Sequence, residues 1–190
     1  MRISAEDGYE LWLRYRVVDN PDRFSQYRAA IDQVLVLDSS TTGEIVCSEL
    51  RRALPALLDR SVPFSTHTSE KPALVVGTVQ QLAALGISVQ PEQTRDLGEE
   101  GFLIRSQPVD HHNWILITGH SEAALLYGTF HFLRLLQTQQ DIRALEVASA
   151  PRIRHRILSH WDNLDGSIER GYAGRSLWKW DELPQMIDPR

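Results

Sequence analysis

The chain of 190 residues has little of several features that mark particular classes of protein. It contains one cysteine, Cys47, so no disulfide can form within it. No uninterrupted apolar run approaches the ~18 residues that a membrane-spanning helix needs, and residues 1–7 lack the apolar core of a signal peptide. A formal charge of −5 provides no basic field for nucleic acid or anionic lipid. These absences predict a cytoplasmic protein that binds neither membrane nor nucleic acid.

The composition that remains is that of an ordinary globular protein. Hydrophobic residues make up 42% and charged residues 24%, which argues against disorder. Domains usually run to ~100–200 residues, so the chain can hold one domain and part of another. The composition changes after Pro151, where the chain becomes rich in Trp, Gly and Asp. We therefore expect an α/β domain over residues 1–150 and a separate segment over residues 151–190.

Short apolar runs bounded by turn residues predict the strands. They lie at residues 9–15, 33–37, 73–77, 102–105 and 114–118. Asn20, Pro21 and Asp22 predict a turn between the first two. A further alternating run at residues 152–158 predicts a strand after the domain boundary.

Apolar residues at steps of three and four predict two long helices. The hydroxyl residues at positions 39–42 are N-cap candidates for the first, and Thr41 and Glu44 have the spacing of a capping box. Ser121 is the expected N-cap of the second. A shorter helix is expected to end at Gly86. Mixed strands with two long helices predict an α/β fold, a two-layer sandwich in which helices cover one face of a mixed sheet.

Two isolated motifs are weak indicators of a metal or phosphate site. His111 and His112 could bind a metal, but adjacent residues point in different directions and no Cys or spaced His completes a ligand set. A solvated loop explains them better. Gly77 and Thr78 follow an apolar strand, yet no Gly-x-Gly-x-x-Gly or Gly-Lys-Ser/Thr motif is present. We therefore expect no metal and no phosphate-binding turn.

Two potential nucleophiles have simpler interpretations. Cys47 lies among helix-like apolar positions without a histidine nearby in sequence, which predicts a small buried hydrophobic residue. Ser121 lacks the second glycine of a nucleophile elbow and is explained as a helix cap.

The segment over residues 159–174 combines aromatic, carboxylate, amide and guanidinium side chains at high density. Sugar sites use this mixture, because apolar ring faces stack on Trp while acids and amides bind hydroxyls. The alternative is a solvated loop followed by Trp178 and Trp180, which would anchor the segment to a core.

The run HWDNLDGSIERGYAGRSLWKW at residues 160–180 closely resembles the start of the catalytic barrel in family 67 α-glucuronidases. The resemblance covers essentially the whole chain. Its other parts are EDGYELWLRY, VVGT, EEGFLI, LLYGTFHFLRLLQTQ and SAPRIRHRILSHWDN.

This resemblance implies an N-terminal α/β domain, similar to the accessory domain of family 20 hexosaminidases, ahead of a (β/α)₈ barrel. Enzymes of the family hydrolyse α-1,2-linked (4-O-methyl)glucuronic acid from xylo-oligosaccharides in xylan breakdown, with inversion and without a cofactor. Residues 156–163 would form the first barrel strand, which would end at the mouth of the barrel beside the sugar. The implied substrate-binding residues are Trp161, in the apolar wall around the sugar, and Asp162, Asn163, Glu169 and Arg170 beside the mouth.

The resemblance implies no catalytic residue within this chain. An inverting glycosidase needs a general acid and a general base ~6.5–9.5 Å apart, and in this family both come from later barrel strands. Residues 151–190 would then be the start of an incomplete barrel, and the chain alone would be inactive. Full-length relatives form dimers through regions that this chain lacks. The alternative is a stand-alone, non-catalytic module that binds carbohydrate or another partner.

Overall fold

The structure is a computed structural model that describes residues 13–65, 67, 71–109, 112–153 and 155–157. Contacts divide the chain into two units, Tyr15–Arg152 and a second made of Met1–Arg14 with Ile153–Arg190. Every helix and strand described below belongs to the first unit. The boundary expected at residue 150 stays a prediction.

The first unit contains five helices and five strands in its described residues. In chain order they are α1 Pro21–Ala30, β1 Gln33–Val36, α2 Thr41–Leu58, β2 Ala73–Val76, α3 Val79–Ala84, α4 Pro91–Thr94, β3 Phe102–Val109, β4 His112–Gly119, α5 Glu122–Gln137 and β5 Glu146–Ser149. The strands predicted from residue 33 to residue 118 and both long helices are confirmed, although β3 and β4 are longer than expected.

The five strands form one mixed sheet in the order β1-β2-β4-β3-β5. β1, β2 and β4 are parallel, whereas β3 runs antiparallel to both β4 and β5. All four residues of β2 are fully buried, as expected for a central strand between two parallel neighbours. β1 and β5 are the two edges of the sheet, and β2 lies between its parallel neighbours β1 and β4.

The two long helices lie on one face of this sheet. α5 packs against β3, β4 and α2, and α2 also packs against β1. Gly128 of α5 comes so close to β4 that a Cβ atom there would lie 2.6 Å from Ile117 Cγ2. A mixed sheet with its long helices on one face agrees with the predicted two-layer sandwich.

The opposite face carries a second apolar cluster beneath the short helix α3. Leu82 of α3 packs with Leu35, Val75 and Leu116, which lie side by side on β1, β2 and β4. Trp114 and Ile87 extend this cluster. Both faces of the parallel strands are thus covered, by long helices on one side and by a short helix with its following loop on the other.

Local capping fixes where the long helices begin. Ser121 Oγ accepts a hydrogen bond from the Ala124 backbone N–H at 3.3 Å, which confirms the predicted cap of α5. The N-cap of α2 is Ser40, whose Oγ accepts from the Gly43 N–H at 3.2 Å. The expected capping box on Thr41 is therefore wrong by one residue.

The turn predicted at Asn20, Pro21 and Asp22 is instead the beginning of α1. Asn20 Oδ1 accepts from the backbone N–H groups of Asp22 at 3.0 Å and Arg23 at 3.1 Å, and Pro21 occupies the first helical position.

Neither α1, α4 nor β5 was expected. The strand expected at residues 152–158 is wrong for residues 152, 153 and 155–157, which are irregular. Residues 9–12 of the first predicted strand lie outside the described residues, and the prediction is wrong for residues 13–15, which are not in a strand.

The buried face of α2 can be tested with two aliphatic residues on the same helix. Leu50 is fully buried, whereas Ile45 is 47% exposed. We expect Leu50→Ala to lower the free energy of unfolding by ~2–5 kcal/mol, because it leaves a cavity. The control Ile45→Ala should change it by no more than ~0.5 kcal/mol. Urea denaturation monitored by circular dichroism measures both, and equal losses would contradict the packing of α2.

Candidate functional site

The substrate-binding residues expected from the sequence lie outside the described residues. They are Trp161, Asp162, Asn163, Glu169 and Arg170. Their grouping at a barrel mouth therefore stays a prediction, as does the position of His111. The loop predicted for His112 is wrong, because His112 is the first residue of β4 and pairs with Val109 of β3. The described part of the chain contains a different polar site.

This polar site lies where three parallel strands end together. β1, β2 and β4 end at Val36, Val76 and Gly119, so their carboxyl ends meet at the same edge of the sheet. Beyond this edge is an open cavity of about 800 Å³, lined by residues from segments 38–42, 78–83 and 119–123. Its size lies within the ~300–1,000 Å³ of small-molecule sites. We call it the strand-end crevice.

The chain topology explains why a crevice opens here. The connection after β1 leads to α2 and the connection after β4 leads to α5, both on the long-helix face. The connection after β2, which lies between them, leads to α3 on the opposite face. Neighbouring connections thus turn away from each other on both sides of β2. Open α/β sheets bind ligands at such topological switch points.

Two glycines allow close packing at the points where the connections leave the strands. A Cβ atom at Gly77 would lie 2.8 Å from Leu37 Cδ1, and one at Gly119 would lie 2.7 Å from the Gly101 carbonyl oxygen. Gly77 is therefore explained by packing. Thr78 forms a capping box with Gln81, in which each side chain accepts a hydrogen bond from the other residue's backbone N–H, at 3.2 and 2.8 Å.

The lining of the crevice is polar and carries two acidic side chains, Asp38 and Glu122. Asp38 accepts hydrogen bonds from the Ser40 N–H at 3.2 Å and from the Ser40 hydroxyl at 2.7 Å. His120 is also part of the lining, and its Nε2 lies 3.0 Å from the Thr94 carbonyl oxygen. No lysine or arginine is among the described lining residues. The crevice is therefore suited to a neutral ligand with hydroxyl groups rather than to an anion.

The sequence does not predict this site, although it contains parts of it. Gly77 and Thr78 are only a weak turn motif, and Ser121 is explained as a helix cap. Successive lining segments are separated by 35 residues in the sequence, residues 43–77 and 84–118. Only the sheet order brings them to one edge, and no local pattern contains that order.

A second groove of about 790 Å³ lies beside α1, near the amino ends of β2 and β4. Its charged groups bind one another. Asp141 accepts from Arg23 at 2.9 Å, from Gln26 at 3.0 Å and from the Arg143 guanidinium. The hydrogen bonds from Arg143, followed by those from Arg23 and Gln26, hold the pKa of Asp141 well below its usual range. Asp141 is thus a poor proton donor, and we interpret this groove as structural.

Other candidates from the sequence also lack a catalytic environment. Cys47 is half-buried rather than buried, and burial raises the pKa of its thiol, which disfavours the reactive thiolate. The described residues contain no group of three or more His, Cys, Asp or Glu side chains that could hold a metal ion. Among the same residues, no helix is long and apolar enough to cross a membrane.

A buried tyrosine of α1 has a shifted pKa that can be measured. Tyr27 is buried and donates a hydrogen bond to the Gln140 carbonyl oxygen at 2.5 Å. Burial raises the pKa of Tyr27 to about 12, with Arg23 opposing the shift and Asp141 adding to it. The folded state thus favours the neutral phenol, so this stabilisation is complete below pH ~10 and is lost as the pH rises towards ~12.

We therefore expect the free energy of unfolding of the wild type to fall between pH 10 and 12 by roughly 2–3 kcal/mol more than that of Tyr27→Phe, which has no phenol to ionise. Urea denaturation at stepped pH measures the fall. The control Tyr127→Phe, on the more exposed Tyr127, should leave the fall unchanged. An identical fall in wild type and Tyr27→Phe would contradict the assignment.

Comparison with known proteins places the chain in a family. The model described as "Glycosyl hydrolase family 67 N-terminus" matches residues 11–132, and "Glycosyl hydrolase family 67 middle domain" matches residues 135–190. A probable α-glucuronidase A of Neosartorya fischeri is 32% identical over 97% of this chain and 21% of its own length. The α-glucuronidase A of Emericella nidulans is 32% identical over 93% of this chain and 21% of its own length.

The chain therefore spans about a fifth of the length of the curated relatives that it matches. Among solved structures, a family GH115 4-O-methyl-α-glucuronidase specific for decorated arabinogalactans superposes with a TM-score of 0.41. It is 20% identical and covers 55% of this chain and 13% of that one, which is too little to infer a common fold. The first family model alone matches well over half of the chain, from residue 11 to residue 132. The chain belongs to glycosyl hydrolase family 67.

Proposed function

We propose that the chain is the N-terminal portion of an α-glucuronidase that hydrolyses α-1,2-linked (4-O-methyl)glucuronic acid from xylo-oligosaccharides, with inversion. One observation carries this proposal. The N-terminus and middle-domain models of family 67 match consecutive parts of the chain in that order, and relatives named α-glucuronidase align with more than nine-tenths of it. Because those relatives are about five times longer, the complete activity needs more chain than residues 1–190.

The 190 residues alone are proposed to be inactive. Inverting hydrolysis needs one carboxylic acid that donates a proton and one carboxylate that activates water. Among the described carboxylates, Asp141 is held ionised by Arg143, and Asp38 is engaged by Ser40 at the rim of an open crevice. Neither arrangement provides a water-excluding acid and base pair. The family resemblance assigns that pair to later barrel strands.

Within the proposal, the tail contributes part of the sugar site. In it, residues 151–190 are the start of the barrel, and Trp161 stacks on the sugar ring. Asp162, Asn163, Glu169 and Arg170 lie beside it and bind hydroxyl or carboxylate groups. A barrel strand ends at the catalytic mouth, which is why this composition suits that position.

A second candidate function comes from another class of protein. The chain could act as a stand-alone carbohydrate-binding module without catalysis, and the strand-end crevice favours this alternative. The two functions differ in what the chain does when it is joined to a barrel, since only the first requires the chain for hydrolysis.

A chimera distinguishes these functions. Residues 1–190 replace the matching fifth of the Emericella nidulans enzyme, and release of glucuronic acid from 4-O-methylglucuronosyl-xylotriose is measured. We expect release by the chimera and none by the isolated chain, because the acid and base come from the barrel. Release by the isolated chain would place the acid and base within residues 1–190. A folded chimera without activity would favour the binding module.

The role of Trp161 can be tested in the same chimera. We expect Trp161→Ala to lower kcat/KM ~10–100-fold, since a buried aromatic contact contributes ~1.5–3 kcal/mol. Trp161→Phe keeps an aromatic face and should retain most of the activity. Equal activity of Trp161→Ala and wild type, with unchanged thermal stability, would remove Trp161 from the sugar site.

A further inference from the structure

We propose that the strand-end crevice is a second carbohydrate site, which binds an uncharged chain of xylose units through their hydroxyl groups. The identity of the sugar rests on the proposed function, since undecorated xylose units make up the rest of that substrate. The existence and polarity of the site rest on the geometry of the crevice alone.

The first argument is position. Connections to opposite faces of the sheet leave β2 and its two parallel neighbours, so a crevice opens over the carboxyl ends of all three strands. This is where open α/β sheets hold their ligands. The second groove differs, because its two arginines, Arg23 and Arg143, are both already paired with Asp141.

The second argument is charge. Asp38 and Glu122 line the crevice without a lysine or arginine among the described lining residues, so a phosphate or uronate would meet net negative charge there. The helix ends do not outweigh these two carboxylates, because each helix N-terminus contributes a partial positive charge of only about +0.5. Ser40 and Ser121 also occupy one backbone N–H of each long helix, those of Gly43 and Ala124. The crevice therefore selects against anionic ligands.

The third argument is hydrogen-bonding capacity. Thr42, Gln80 and Glu122 line the crevice, and their side chains make no hydrogen bond to another described residue. Together they offer a hydroxyl, an amide and a carboxylate, which can donate to and accept from sugar hydroxyls. A neutral polyhydroxylated ligand satisfies all three groups, whereas an apolar ligand would leave them unpaired at a cost.

The experiment is a titration of the ¹⁵N-labelled chain with xylotriose, followed by NMR. We expect saturable shifts in the amides of the three lining segments, 38–42, 78–83 and 119–123. Addition of 4-O-methylglucuronosyl-xylotriose should give weaker binding, and Glu122→Gln should reduce this discrimination at least ~3-fold, because it removes a negative charge. Absence of shifts at millimolar xylotriose, or shifts located elsewhere, would overturn the site.

Two alanines of α3 provide a matched pair of variants. Ala83 lines the crevice, whereas the neighbouring Ala84 is equally surface-exposed but does not line it. We expect Ala83→Trp to fill the crevice and weaken xylotriose binding at least ~10-fold, and Ala84→Trp to change it less than ~2-fold. Gln80→Ala, a truncation of an exposed side chain, should weaken binding ~3-fold or more if one hydrogen bond is lost.

Unchanged binding in both Ala83→Trp and Gln80→Ala would overturn the site. These outcomes are separate from the proposed function, because the chimera assay measures glucuronic acid release and does not require the crevice. An inactive chimera whose isolated chain still binds xylotriose would reject the enzyme function and leave the crevice as a sugar site.

Discussion

The structure depends on the parallel pairing of β2 with a strand on each side. Its four residues, Ala73 to Val76, are completely buried, and their backbone groups hydrogen-bond to β1 and β4. Parallel neighbours cannot be joined by a tight turn, so helices must carry the chain across the sheet. Burial on both faces requires a cover on each, which α2 and α5 provide on one side and the α3 cluster on the other.

That pairing also produces the crevice. Since the sheet needs cover on both faces, the connection after β2 must leave in the opposite direction from the connections after β1 and β4. Close packing at Gly77 and Gly119 fixes where these connections separate. The polar residues that follow are then exposed at one edge, although none of them is needed for the core. Fold stability and the candidate binding surface thus arise from the same constraint but from different side chains.

The features predictable from sequence were those that local physics encodes. The periodic apolar face of α2, with Leu50 and Leu54 both fully buried, and the cap at Ser121 were visible in the chain. α1 was missed because only Tyr27 of its ten residues is buried, which leaves no apolar periodicity. The Asn20 cap and Pro21 were present as a signal but suggested a turn. At the start of α2, neighbouring hydroxyl residues are equivalent in sequence, and only geometry selects Ser40.

If the proposed function holds, a site for the uncharged part of the substrate has a physical advantage in a domain joined to a catalytic barrel. A surface that bound the uronate would compete with the active site for the group that must be cleaved. A crevice that repels the uronate through Asp38 and Glu122 leaves that group free. Because the two sites would share one chain, weak binding of xylose units raises the local concentration of substrate without tight contacts. The acidic lining and the absence of a guanidinium among the described crevice residues are therefore consistent with a site that supports, rather than duplicates, the barrel.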